Sequence, residues 1–158
     1  MLEFCAQELC RLDDAGRLKL GAGVLRDFAR HTDGDVVLYC LPEGAIGVYP
    51  PDTWDTMRNQ ASPSVEGPAT SLVTRRTMRR FGALSQSGSI SNQGRITVPP
   101  MFREYAGLVT GEQALIVGCE IGVELWNQSR FEEELATIHQ HVRDKGQQEM
   151  SADLRGGE

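Results

Sequence analysis

Apolar and polar side chains alternate along short segments of this chain, and residues that favour turns separate the segments. Ile90 to Val98 alternates in this way and carries Asn92-Gln93-Gly94 in its middle, which predicts two short strands joined by a turn. Gln113 to Val117 and Gly122 to Trp126 are apolar runs of strand length. The second half of the chain is therefore predicted to hold two pairs of strands.

A short helix is predicted between these two strand pairs. Pro99-Pro100 ends the preceding strand and favours a helix start, because proline fixes φ near the helical value and needs no donor in the first turn. Met101 to Ala106 can then form about two helical turns, and Gly107 and Gly111 separate this helix from the next strand. The predicted order of elements is ββαββ.

The first half of the chain repeats this pattern. Leu12 to Leu20 matches Ile90 to Val98 at a shift of 78 residues, and after one extra residue in Gly21 to Gly23 the shift becomes 77. At that shift Leu25 to Ala29 lies on Phe102 to Ala106. A single unit of this size would bury too little apolar surface to fold alone. The chain is therefore predicted to be a tandem of two units that interlock.

Two further helices are predicted outside the repeated units. Pro68 suits the first turn of a helix that links the units, and Asn59 to Gly67 before it is a predicted loop. The apolar stripe of this link helix comprises Leu72, Val73, Met78 and Phe81. Ser129 to Arg143 is predicted as an amphipathic helix with Ser129 as its N-cap. From Asp144 onward few side chains can be buried, so the tail is expected to be disordered.

Charge is distributed unevenly along the 158 residues, whose formal net charge is −6. Residues 1–66 hold six basic and eleven acidic groups, and residues 104–158 hold four basic and eleven acidic groups. Residues 67–103 hold six arginines and no acidic group. This basic block indicates either an anion-binding face or a segment that pairs with acidic neighbours, because the guanidinium group binds phosphate and carboxylate equally well.

Several classes of protein are not indicated by the sequence. No apolar run reaches the roughly 18 residues of a membrane span, and the N terminus lacks the features of a signal peptide, so we expect a cytoplasmic protein. The four cysteines form no C-x-x-C pair and are expected to be reduced. His139 and His141 lack the i, i+4 spacing of helical metal ligands. We find no catalytic motif, and we predict no enzymatic activity, metal, cofactor or small-molecule substrate.

Two Gly-Arg steps stand at equivalent positions of the repeat, each inside a longer motif. The first motif is Asp13-x-x-Gly16-Arg17, and the second is Ser91-x-x-Gly94-Arg95, followed by an apolar strand and Pro99. Tyr49-Pro50 and Glu124-Leu125-Trp126 lie later in the two units. Together with the arginine-rich link, these motifs resemble the MraZ family of bacterial regulators over most of the chain.

The resemblance implies a fold and a function. MraZ proteins carry two AbrB-like swapped-hairpin modules, bind DNA as ring-shaped homo-oligomers and regulate the cluster of cell-division and cell-wall genes in which they lie. The chain departs from the family pattern at three places. Ser91 replaces the second aspartate, Gly21 with an insertion replaces the first proline, and Cys5-Ala6 replaces an Arg-Gly pair. We therefore expect a divergent member.

The expected fold is α+β, mainly β, with two tandem swapped-hairpin β-barrel modules. The modules are expected at residues 4–56 and 83–131, with a loop and the link helix at 57–82 and a C-terminal helix with a disordered tail at 132–158. The expected function is that of a nucleoid-associated repressor that binds promoter repeats in double-stranded DNA as a ring larger than a dimer. The alternative is a protein-interaction module that kept the fold but lost DNA binding.

The candidate DNA contacts begin with the arginines of the two motifs. Arg17 and Arg95 follow turn glycines, where a guanidinium can reach a phosphate or a guanine edge. Each could instead pair with an acid such as Asp13 and fix its own turn. The residues expected to form the turns are Asp13, Gly16, Ser91 and Gly94.

Further candidate contacts lie on the strand after the first motif and on the short helices. Lys19 is one of them, and Arg26 and Arg103 occupy places that the repeat makes equivalent. The adjacent acids Asp27 and Glu104 could instead neutralise these two arginines as solvated ion pairs.

The link helix supplies four more arginines, which form two pairs on neighbouring faces. These are Arg75 with Arg79 and Arg76 with Arg80. They could contact phosphates directly, or they could dock on the acidic surface of a neighbouring subunit, and the sequence favours neither role over the other.

Overall fold

The computed structural model describes residues 2–61 and 71–156 and shows an α+β fold, as expected. The first copy of the repeat contains β1 (Gln7–Arg11), β2 (Arg17–Lys19), α1 (Ala22–Ala29), β3 (Asp35–Cys40), β4 (Ile46–Tyr49) and α2 (Pro51–Ala61). The second copy contains α3 (Leu72–Ala83), β5 (Ser85–Ser89), β6 (Arg95–Thr97), α4 (Pro100–Ala106), β7 (Gln113–Gly118) and β8 (Val123–Trp126). A long helix, α5 (Gln128–Gly156), follows.

The two copies exchange strands. Six strands form one antiparallel sheet in the order β1-β7-β8-β4-β3-β5, and β2 and β6 form a second, two-stranded sheet. β1 of the first copy therefore pairs with β7 of the second, and β5 of the second copy pairs with β3 of the first. The central pair, β4 and β8, also joins the two copies. Every sheet of the fold is thus shared.

The hydrophobic core is built from both copies as well. Leu18 of β2 and Ile96 of β6 are opposite each other and fully buried. Phe28 of α1 and Phe102 of α4 are buried in the same cluster. Because burial of one such side chain contributes about 1.5–3 kcal/mol, neither copy retains its share of the core without the other.

The hydrogen bonds correct the alignment of the two copies across the short helices. The amide of Leu25 donates to the carbonyl oxygen of Gly21, and that of Arg103 donates to Pro99, both at a shift of 78 residues. The expected change to a shift of 77 within Gly21 to Gly23 is therefore wrong. The glycines there resembled an insertion, but helix α1 begins directly after Gly21.

The shift of 78 residues persists through the next strand. Strands β3 and β7 are related by it, since Asp35 pairs with Ser89 as Gln113 pairs with Arg11. The change comes in the following turns, which are closed by Leu41 to Ala45 in the first copy and by the shorter Cys119 to Gly122 in the second. Strands β4 and β8 therefore match at 77.

Several helix boundaries differ from the expectation. Helix α2 runs to Ala61, so the first part of the expected loop is helical, and Pro68 lies outside the described residues. Helix α3 begins at Leu72 with Ser71 as its N-cap, whose hydroxyl accepts a hydrogen bond from the amide of Thr74 at 3.0 Å. Of its expected apolar stripe only Phe81 is buried.

The C-terminal residues form a unit of their own, which consists of helix α5. The helix continues beyond Asp144 to Gly156, where a disordered tail was expected. Side chains one turn apart support it: Gln140 donates to Asp144 at 2.8 Å, and Arg143 donates to Gln140 at 2.9 Å. None of the helices in the described ranges has the length and apolar character needed to cross a membrane.

Candidate nucleic-acid interface

The two Gly-Arg motifs meet in the two-stranded sheet. Arg17 is paired with Thr97, and Lys19 is paired with Arg95, on either side of the buried Leu18–Ile96 pair. Because successive side chains on a strand point to opposite faces, the residues on both sides of this pair share the outer face. We call β2 and β6 the basic ribbon, since three of its four outward residues are cationic.

The turn before β2 is held by a carboxylate. Asp13 Oδ1 accepts hydrogen bonds from the amides of Ala15 and Arg17 at 2.9 Å each, and Asp13 Oδ2 accepts one from Arg17 Nε at 3.0 Å. The backbone bond from Arg17 is the main cause of a lowered pKa of Asp13. Gly16 has a φ of 78°, in the left-handed region that favours glycine. Asp13 thus orients Arg17, whose side chain remains 44% exposed.

The turn before β6 has the same backbone but no carboxylate. Ser91 Oγ accepts a hydrogen bond from the amide of Arg95 at 3.1 Å, and Gly94 has a φ of 74°. In the described part of the chain, no acidic side chain forms an ion pair with Arg95. The serine therefore preserves the turn and leaves the guanidinium of Arg95 without an anionic partner.

A fourth cation, which the sequence analysis missed, lies beside the basic ribbon. Arg11, the last residue of β1, lines a surface depression of about 220 Å³ together with Asp13, Arg17, Lys19 and Arg95. Lys19 Nζ donates a hydrogen bond to the backbone carbonyl of Gln93 in the opposite turn. Arg11 stands outside both motifs, so only the pairing of β1 with β7 reveals its position.

The expected equivalence of Arg26 and Arg103 is wrong. Arg103 Nη1 donates to the carbonyl oxygen of Val98 at 3.0 Å and lies against Gly16. The corresponding residue of the first copy is Leu25, which packs against Gly94 in the same way. Arg103 therefore closes the first motif's turn from the second copy, whereas Arg26 is exposed on α1.

The acids beside these two arginines do not neutralise them in the described structure. Asp27 instead accepts a hydrogen bond from the amide of Phe4 at 2.9 Å and pairs with Arg30 at 3.1 Å. No ion pair joins Glu104 to Arg103 within the ranges described. The two solvated ion pairs that the sequence allowed are thus not formed.

The arginines of helix α3 have different environments. Arg80 Nε donates to the hydroxyl of Tyr39 at 2.9 Å, and its guanidinium lies 5.4 Å from the ring centre of Phe81. Phe81 also stacks on Tyr39 at 5.6 Å and contacts Trp54 of α2 edge-on at 5.8 Å. Arg80 is therefore part of the packing of α2 and α3 on the sheet.

The outer surface of α3 combines charge with apolar side chains. Arg76 and Arg79 are exposed, and neither contacts an acidic side chain in the part of the chain that the structure describes, while Arg75 is half-buried. The exposed apolar residues of this helix are Leu72, Val73 and Met78. The predicted pairing of Arg76 with Arg80 on one functional face does not match these environments.

Comparison with known proteins gives the family. The model of the MraZ protein family matches residues 87–153. The transcriptional regulator MraZ of Syntrophobacter fumaroxidans is 30% identical over 129 residues, which cover 82% of this chain and 82% of that protein. This chain belongs to the MraZ family.

Two more relatives in the MraZ family cover similar shares of the chain. The transcriptional regulator MraZ of Thermus thermophilus is 34% identical over 120 residues, 76% of this chain and 78% of that protein. The transcriptional regulator MraZ of Treponema pallidum is 31% identical over 146 residues, 92% of this chain and 85% of that protein. The MraZ family resemblance of the two Gly-Arg motifs is thereby confirmed.

Proposed function

We propose that this chain regulates transcription by binding double-stranded DNA through the basic ribbon. The observation that carries the proposal is that strand exchange brings the two Gly-Arg motifs into one exposed, two-stranded surface. A two-stranded ribbon fits the major groove, where arginine and lysine can contact guanine edges and flanking phosphates. The names of the relatives, all transcriptional regulators, support this role.

One ribbon alone would bind DNA weakly, because it offers few cations to the phosphates. We propose that the chain therefore acts as a homo-oligomeric ring larger than a dimer, whose ribbons contact repeated short sites in a promoter. Several weak contacts made at once then give useful affinity through a high effective concentration. In this proposal the protein represses a cell-division and cell-wall gene cluster and is associated with the nucleoid.

Helix α3 has two proposed roles, and the structure separates the residues that could perform them. Arg76 and Arg79 are exposed cations that can contact either phosphates or the acidic surface of a neighbouring subunit. The exposed Leu72 and Val73 beside them support the contact with a neighbouring subunit, because apolar side chains gain nothing from lying on DNA phosphates.

The proposed ribbon contacts are tested by Arg17→Ala and Arg95→Ala. Each change should weaken DNA binding by roughly 1–3 kcal/mol per protomer if the side chain reaches a base edge. Binding is measured by fluorescence anisotropy on a labelled promoter duplex, and thermal melting verifies the fold. Arg155→Ala, at an exposed arginine of α5, is the matched control. Wild-type affinity in a folded Arg17→Ala/Arg95→Ala variant would contradict the proposal.

The proposed ring is tested by light scattering. A closed oligomer larger than a dimer should persist at micromolar concentration and low salt, because acidic and arginine-rich surfaces of the same chain can contact each other repeatedly around a ring. A monomer under these conditions would contradict both the ring and the explanation of affinity by multiple contacts.

The alternative function is an assembly module without DNA binding, for which the departures at Ser91 and Gly21 and the acidic composition were the evidence. The structure weakens two of these arguments. Ser91 keeps the second turn, and Gly21 begins α1 while its amide donates to Glu8 at 3.0 Å. A salt titration separates the two functions, because phosphate contacts require that log K fall linearly with log salt concentration.

A further inference from the structure

The depression beside the basic ribbon has the size of a site for a small anion. Its volume of about 220 Å³ corresponds to about seven water molecules. Sites for whole small molecules usually enclose roughly 300–1,000 Å³ and are mostly apolar. This depression is lined instead by four cationic side chains and one carboxylate. Its dimensions therefore suit a single phosphate group with accompanying water.

The positive charge of the depression is not neutralised from within. The carboxylate of Asp13 already accepts three hydrogen bonds, from the amides of Ala15 and Arg17 and from Arg17 Nε. Lys19 donates to a backbone carbonyl, which leaves its full charge. Within the described ranges neither Arg11 nor Arg95 forms an ion pair. Cations gathered in this way repel one another, and a bound anion would relieve that repulsion.

Arg11 distinguishes this site from its counterpart in the second copy. Strand pairing places Arg11 opposite Gln113, and the equivalent pair in the second copy is Ser89 opposite Asp35. The first position is therefore cationic and the second anionic. Asp14 is the acid on the rim: its Oδ1 and Arg11 Nη2 both lie 4.0 Å from the place where Gly111 would carry a Cβ atom, without forming an ion pair.

We propose that this depression is a phosphate-binding subsite that holds one backbone phosphate of bound DNA, and that Arg11 supplies a contact outside the two Gly-Arg motifs. The inference rests on the proposed DNA-binding function. Arg11 reaches the depression from a strand of the six-stranded sheet, whereas the other cations belong to the basic ribbon. The two ends of the ribbon consequently bind the DNA backbone unequally.

The test is the salt dependence of binding to a mixed-sequence duplex of about 30 base pairs, measured for the full chain between 50 and 200 mM NaCl, the range over which such contacts weaken steeply. Arg11→Gln should lower the slope of log K against log salt by about 0.9, so that affinity falls about 3.5-fold less over this range. Arg11→Lys should retain the wild-type slope. Arg155→Gln removes the same charge from α5 and should change nothing.

The outcomes separate this inference from the function on which it rests. An unchanged slope in Arg11→Gln, with a lower slope in Arg95→Gln, overturns the subsite and leaves DNA binding intact. Equal losses in Arg11→Gln and Arg155→Gln overturn it too, because net charge alone would then explain the effect. Absence of salt-dependent binding by the wild type overturns the proposed function itself. Titration with inorganic phosphate forms a second arm: saturation at low millimolar phosphate that Arg11→Gln does not weaken also contradicts the proposal.

Discussion

Ala6 has a φ of 67°, in the left-handed region that side chains other than glycine seldom adopt. Its carbonyl accepts a hydrogen bond from the amide of Gly118 at 2.8 Å, which fixes the start of β1 against β7. This is the position at which the family pattern has glycine and this chain has alanine. The strain is therefore retained because the pairing of the two copies requires this conformation.

Ala6→Gly should stabilise the folded state by about 0.5–1 kcal/mol. Relief of the left-handed conformation contributes roughly 1–2 kcal/mol, and the greater freedom of glycine in the unfolded chain removes about half of it. Urea unfolding followed by circular dichroism measures the change. Ala83→Gly, in the last turn of α3, is the control and should destabilise the protein. Destabilisation by both changes would show that the φ of Ala6 carries no strain.

Asp13 should make the stability of the first turn dependent on pH. Its folded pKa is lowered, mainly by the backbone bond from Arg17, so its contribution is fully present above the unfolded value near 3.8 and is lost as the pH falls through the lower folded value. Asp13→Asn should flatten the loss of stability below about pH 4. Urea midpoints from neutral to acidic pH provide the measurement, with Asp14→Asn as control. Parallel curves for Asp13→Asn and the wild type would refute this role.

The four cysteines should differ sharply in reactivity. Burial raises the pKa of Cys119 to about 11, and burial also raises the pKa of Cys40 and of Cys10. Cys5 is exposed. Because the thiolate is the reactive form, a colorimetric disulfide reagent at pH 8 should modify Cys5 first and the other thiols only slowly until the protein is unfolded. Rapid modification of several thiols in the native protein, or a slow reaction in which Cys5→Ser changes nothing, would contradict this order.

At the scale of elements, the sequence predicts those parts of the fold that local signals determine. The strand pairs and α4 are found because alternation and the Pro99-Pro100 and Gly107 boundaries are local; Gly107 has a φ of 65° at the helix end. The place where the two copies change alignment was misassigned, since Gly21 to Gly23 resembles an insertion and only hydrogen bonds reveal the register. The last part of α5 was missed because its helix formers carry no apolar periodicity.

The candidate site was predictable to a similar extent. The Gly-Arg steps are visible in sequence because each turn needs a glycine with positive φ, and the repeat doubles the signal. Arg11 and the contact between Arg80 and Tyr39 were not predictable, because they depend on which elements pack together. The assignment of Arg103 failed for a related reason, since its role follows from the corrected alignment.

Within α3, Arg80→Gln should destabilise the protein by about 1 kcal/mol, since it removes the hydrogen bond to Tyr39 and the contact with Phe81. Arg79→Gln is the matched change at the adjacent exposed arginine and should alter stability by less than about 0.5 kcal/mol. Urea unfolding of both variants provides the measurement. Equal effects on stability would mean that Arg80 has no structural role in the packing of α3.

At the scale of the whole molecule, the exchange of strands makes each copy depend on the other. β1 and β2 of the first copy pair only with β7 and β6 of the second among the described strands. The core residues follow the same division, since β2 and β6 bury Leu18 against Ile96. A single copy would leave these strands unpaired and half of the core exposed. The tandem repeat therefore behaves as one folding unit.

The final prediction follows from this mutual dependence and is tested by dividing the chain. A fragment of residues 1–61 and a fragment of residues 71–158 should each fail to fold as a monomer, because a small unit without its sheet partners buries too little apolar surface. Mixed in equal amounts, they should restore strand signals in circular dichroism and elute together from a size-exclusion column. Leu18→Asp in the first fragment places a charge opposite Ile96 and should prevent reassembly, whereas Arg26→Gln on exposed α1 should not. A cooperative thermal transition in a monomeric 1–61 fragment would show that the first copy folds alone, and the exchanged strands would then be an addition to a stable module rather than a condition for it.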